Sequence, residues 1–126
     1  MRRFVIYWLP VIAACTAIFI QSSFPGPDVL PEMKGADKIA HGLVFGLLAL
    51  LFYRAFQGGS PRPFGFSAAT VSIFASGLYG LSDEIHQYFV PFRQADPLDV
   101  AADLAGAVIA VLIRRRLFRD GRSAAK

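Results

Sequence analysis

One cysteine, two histidines and 17% charged residues leave this 126-residue chain few groups with which to do chemistry or face water. Cys15 has no second cysteine to pair with, so no internal disulfide can form, and the redox compartment stays open. Charge is missing from Phe4 to Ile20, Ile39 to Tyr53, Phe64 to Ser82 and Leu104 to Ile113. Together with 55% hydrophobic residues, these runs exclude a disordered, highly solvated chain. The net charge of +4 does not point to nucleic acid, because the basic residues gather at the chain ends and in one short loop. At this length the chain, residues 1–126, holds one domain.

What is present fits a bilayer. A hydrocarbon core of about 30 Å needs roughly 20 helical residues, fewer where flanking polar groups reach the interface. The uncharged runs therefore predict an all-α integral membrane bundle of four helices, spanning about 4–22, 37–56, 64–89 and 97–115. Pro- and Gly-rich connectors, "SSFPGPDVLPEMKG" and "QGGSPRP", separate the first three. Four crossings put Arg2, Arg3, Arg54, Arg62, Arg114, Arg115, Arg116, Arg119, Arg122 and Lys126 on one side. That is ten of thirteen basic residues, while eight of nine acids fall on the other side. By the positive-inside rule both termini are cytoplasmic. "MRR" before an apolar run also fits a signal peptide, and "IAAC" (12–15) resembles a lipoprotein cleavage box, but the run continues as "TAIFI" past Cys15, which favours a retained span.

The stretch "SDEIHQYFVPFRQADPLDVAADLAG", residues 82 to 106, concentrates ionisable groups in this apolar chain. Helical rise puts Asp83 and Glu84 at the outer rim, because Phe64 to Ser82 already covers about 28 Å. Span 4 is short, so its outer turn and Asp103 are drawn inward, to the depth of His41 on span 2. Asp99, Asp103, Gly106 and Ala110 form one stripe at helical spacing. Ser72, Ser76, Gly80, Glu84 and Gln87 form a second, and "GLVFG" (42–46) gives span 2 a small-residue face. An ionised Asp in a bilayer costs about 2.5–3.5 kcal/mol on insertion scales, so Asp103 needs a partner: His41, Lys38 or Arg93. The expectation is an outward-facing polar pocket of Asp37, Lys38, His41, Asp83, Glu84, Gln87, Arg93, Asp99 and Asp103.

These residues resemble the VanZ-like family of small multi-pass bacterial membrane proteins. The family pattern reads D-K-x-x-H, then D-E-x-x-Q, P-G-R, D-x-x-x-N and a following Gly. It is matched by Asp37, Lys38 and His41, by Asp83, Glu84 and Gln87, by Pro91 and Arg93, and by Asp99 and Gly106. Phe92 stands at the usual Gly and Asp103 at the usual Asn. The resemblance implies a multi-pass integral protein of the bacterial cytoplasmic membrane, and the family's named member is associated with reduced susceptibility to teicoplanin.

Each polar feature carries a structural reading beside a functional one. Asp37 and His41, four apart, suit an oriented imidazole or an interhelical hydrogen bond; with no second histidine at ligand spacing, no metal site and no cofactor is expected. Asp83 and Glu84 suggest acid and base, yet neighbours on a helix diverge by about 100° and no nucleophile with its own base accompanies them. Arg93 would either fork onto a phosphate or carboxylate, or bridge to Asp96 and Asp99 to pin its loop. "RRRLFRDGR" reads as a retention signal. The leading expectation is a pocket that binds a cell-envelope lipid, cell-wall precursor or glycopeptide-type drug without turnover. A membrane enzyme acting on a lipid-linked headgroup is the alternative, and a proton-coupled transporter the third. The expected partner is the lipid bilayer, with no nucleic acid, and homo-oligomer formation stays open.

Overall fold

Runs rich in Leu and Ala favour helix and hold few polar side chains that compete for backbone hydrogen bonds. The computed structural model describes residues 1–25, 35–58 and 66–123. Four helices form: α1 (Arg2–Ser22), α2 (Ala36–Gly58), α3 (Ala68–Tyr88) and α4 (Pro97–Ser123), with no strand among the described residues. Most of the two connectors lies outside those residues, as do Arg62, Lys126 and positions 64 and 65 of the expected third span.

Local chemistry sets the helix ends. Ser67 caps α3 by accepting from the Thr70 N–H at 3.1 Å. Asp96 precedes Pro97, the first residue of α4, and accepts from the Leu98 N–H at 2.9 Å. Inside α1, Pro10 offers no N–H to the Ile6 carbonyl four residues back, and the Arg54 guanidinium on α2 donates to that oxygen instead at 3.1 Å. α4 runs to Ser123, past the expected limit at 115, because the arginine run is itself a good helix former.

The helices alternate in direction, so α2 and α4 run parallel and share the most extensive interface. It is built on small residues. A side chain on Gly106 would collide with the Gly42 backbone, and a Cβ on Gly46 would lie 3.0 Å from the Gly106 carbonyl oxygen. Ala49, Ala69, Ala107 and Val111 continue this contact as a compact apolar core. At the far end of the bundle from the polar residues, Trp8 stacks with Phe4 and meets Phe52 and Phe56 edge-on.

Beside this apolar core the interior holds many polar groups, and large apolar side chains face outward. Ser72, Ser76, Asp83, Glu84, Gln87, Asp99 and Asp103 are buried, while Leu9, Phe19, Leu43, Leu47, Phe74, Leu78, Ile109 and Leu117 are exposed. By length and composition, two helices, α1 and α2, are apolar enough to cross a membrane. The inward-facing acids, serines and amides of α3 and the acids and arginines of α4 explain why those helices read as less apolar.

Candidate functional site

The polar residues meet at one end of the bundle, where α1 and α3 finish and α2 and α4 begin. Parallel packing of α2 on α4 lays their first two turns side by side. Lys38 accordingly reaches Asp99 at 2.5 Å and Asp96 at 2.6 Å, and also its neighbour Asp37 at 3.1 Å. One turn deeper, His41 Nδ1 lies 2.9 Å from Asp103 Oδ1. An ionised carboxylate only accepts, so Nδ1 carries a proton, and in the neutral imidazole Nε2 then keeps its lone pair. That free nitrogen faces Asp99 Oδ2 at 3.7 Å. Asp103 is fully buried, and its second oxygen has no partner.

Asp83 and Glu84 diverge, as adjacent helical residues must. Asp83 accepts from the Gln87 amide one turn on, at 2.9 Å. Glu84 turns toward α4, where its Oε2 accepts the Asp96 backbone N–H at 2.9 Å. Its Oε1 is enclosed without a partner, although the residue is only 4% exposed. His41, Glu84 and Asp99 then offer one ligand-type atom each, all within 4.8 Å of one another. No sequence spacing could reveal this trio, since its members come from three helices.

Asp96, in the loop before α4, was not among the expected pocket residues, although it joins α2, α3 and α4. The Lys38 ammonium beside it, helped by the Leu98 N–H, holds its carboxyl below the usual carboxylate range. A polar residue just before a proline that opens a helix was the available signal.

Arg93 departs from one of its two readings. It does not bridge to Asp96 or Asp99; its Nε donates to the Phe24 carbonyl at 3.0 Å and its Nη2 to the Gln21 carbonyl at 3.1 Å. Gln21 lies in the last turn of α1, where carbonyls carry partial negative charge, and Phe24 lies just past the helix end, so the guanidinium fork clamps the chain where α1 stops. Close by, the Ser23 hydroxyl gives its one proton to the Phe19 carbonyl at 2.7 Å and accepts from His86 Nε2 at 3.0 Å. His86 also stacks on Phe19, so it serves α1 and stands apart from the His41 group.

The loop that delivers Arg93 turns at Val90 to Arg93, closed by the Arg93 N–H on the Val90 carbonyl at 3.2 Å. Pro91 occupies the second position and Phe92 the third, with φ of 64°. This is the arrangement of a type II turn, which favours Gly at the third position. Phe92 is 90% exposed and gains no packing in return.

Between α1, α2 and α3 opens a cavity of about 470 Å³. Its polar side carries Asp37, His41, Asp83, Gln87 and Arg93, and its apolar side Ala17, Ile18, Val44 and Phe45. Of the nine expected pocket residues, these five line the cavity, while Lys38, Glu84, Asp99 and Asp103 form the ion and hydrogen-bond cluster behind His41.

The VanZ/LLP1 family model matches residues 4–119. The chain belongs to the VanZ/LLP1 family. This VanZ/LLP1 chain is also similar to an uncharacterised protein of the fission yeast Schizosaccharomyces pombe, with 32% identity over 104 residues. The alignment covers 82% of this chain and 61% of that relative, so the chain spans less than two thirds of its relative's length. No solved structure matches.

Proposed function

We propose that this VanZ/LLP1 protein crosses the membrane four times, with both termini cytoplasmic, and binds the polar head of an amphipathic envelope molecule in the outward-facing cavity. The burial pattern supports the crossings: all four helices present large apolar side chains to their surroundings, and α3 and α4 turn their acids, serines and Gln87 inward. The lopsided arginines support the orientation. In a bacterium this places the protein in the cytoplasmic membrane.

The observation that carries the binding reading is the cavity's lining, which combines charged and polar side chains with apolar ones. Its volume falls in the range of about 300–1,000 Å³ that encloses small ligands. That favours a headgroup with the start of its tail over a whole glycopeptide, of which such a cavity would take one edge. The fission-yeast relative supports defining the ligand by its chemistry before its pathway.

The test is retention of a lipid-linked cell-wall precursor by purified protein in nanodiscs, read by native mass spectrometry. Wild type should keep about one ligand per chain. Ala17→Phe, which fills the apolar side without touching the ion network, should abolish retention while the thermal transition stays. Equal retention by Ala17→Phe would overturn the reading. Externally added thiol reagent should label Gln94→Cys in intact cells and spare a cysteine placed at Arg116; the reverse pattern would defeat the topology.

A membrane enzyme acting on the headgroup is the second reading, favoured by His41, which Asp103 orients and whose side chain lines the cavity. Release of product from the bound precursor, lost in His41→Gln, would select it.

A further inference from the structure

We infer that His41, Glu84 and Asp99 form a binding site for one divalent transition-metal ion of the zinc or manganese type, with Asp103 orienting the imidazole. The donor set is an imidazole nitrogen and two carboxylates, from α2, α3 and α4, with the ligand atoms within 4.8 Å of one another. Two ligands at about 2.1 Å from a tetrahedral ion lie about 3.4 Å apart. The 3.7 Å between His41 Nε2 and Asp99 Oδ2 is near that value, so small side-chain rotations close the site.

Three independent features point to an ion. First, Glu84 is 4% exposed, and one of its carboxylate oxygens is enclosed with no partner. An orphaned buried oxygen costs its desolvation, and a cation is the partner that removes the cost. Second, His41 Nδ1 is held by Asp103 at 2.9 Å, which aims Nε2 at Asp99. A carboxylate behind a ligating histidine is the usual support of a metal site, because it fixes the tautomer and raises the basicity of the free nitrogen. Third, Lys38 already pairs with Asp37, Asp96 and Asp99, and no Lys or Arg among the described residues reaches Glu84 or Asp103. Asp99 divides its oxygens, Oδ1 to Lys38 and Oδ2 toward His41, so the ion and the ammonium do not compete for one atom.

A mixed imidazole and carboxylate set suits zinc or manganese better than calcium, magnesium or copper(I). Three protein ligands leave a coordination position open, and His41 borders the cavity. The open position takes an oxygen of a bound headgroup. This last point rests on the binding reading above; the metal site itself does not.

The test is uptake of Zn²⁺ or Mn²⁺ alone by full-length protein in detergent after chelator treatment, with stoichiometry from elemental analysis and affinity from calorimetry. One ion per chain is expected, with a metal-dependent rise in the thermal transition. Glu84→Gln should abolish uptake, and Asp103→Asn should weaken it about 10- to 100-fold. Ala17→Phe should leave it unchanged, which separates failure of the metal site from failure of the lipid pocket. Should Glu84→Gln not fold, X-ray absorption on the zinc-loaded wild type decides: one imidazole with oxygen ligands supports the site, and a thiolate or a second imidazole overturns it. A wild-type chain that takes up neither ion, or a folded Glu84→Gln that binds as wild type does, also overturns it.

Discussion

The two ends of the bundle are built on opposite principles. Where α2 and α4 begin, Lys38, His41 and the acids hold the helices through ions and hydrogen bonds with fixed partners. Where α1 begins and α2 finishes, Trp8, Phe4, Phe52 and Phe56 hold them through aromatic contact, with Arg54 over the Tyr7 ring and on the Ile6 carbonyl. Aromatic contact tolerates loss of one partner, whereas an enclosed ion left alone does not. The difference predicts where single substitutions are severe.

Lys38→Met should be the most damaging change, because it removes the cation that Asp99 and Asp96 share and leaves the buried Asp99 without its charge partner. Thermal unfolding in detergent measures it, and adding Asp99→Asn should restore part of the loss. A full-strength effect in the double variant would refute the account of Lys38 as charge partner. Gly106→Ala follows, at about 2 kcal/mol, since the new methyl group meets the Gly42 backbone and the helices must separate. Because the contact lies between the two ends, His41→Gln and Gly106→Ala should be non-additive in unfolding measurements.

Phe92→Gly should stabilise by about 1 kcal/mol, through relief of the left-handed conformation at the third turn position. No gain in thermal midpoint would show that the turn is not strained. The mildest effect concerns pH. Asp96 has its folded-state pKa below the ordinary value, so its contribution is present above the unfolded pKa, about 4, and is lost as pH falls through the lower folded value. Wild type should therefore lose stability on acidification below about pH 4, and Asp96→Asn should lose less. Arg54→Gln, at the aromatic end, should leave the slope of that profile unchanged.

The helices were legible because an uncharged run of about bilayer length has few other uses. The C-terminal extension of α4 was not, since an arginine run reads as a tail by charge although it continues as helix by propensity. The depth match of His41 and Asp103 followed from helical rise, and their 2.9 Å hydrogen bond agrees with it. The bridge from Arg93 to Asp96 and Asp99, one of its two readings, fails because the guanidinium's acceptors are the backbone carbonyls of Gln21 and Phe24 around the end of α1, which no side-chain pattern marks. Phe92 was legible in part: a departure from the family's Gly pointed to the backbone there, and the positive φ is what that position demands.

The glycine contact between α2 and α4 has a consequence for how the cluster assembles. With Gly42 and Gly106 touching through their backbones, the two helices mesh like a rack and pinion, and sliding by one tooth, about 5.4 Å, unseats Lys38 from Asp99 and His41 from Asp103 together. There is no half-engaged setting. Any ligand or ion that grips one of these rows therefore grips the other, and whatever loosens the meshing releases both at a stroke.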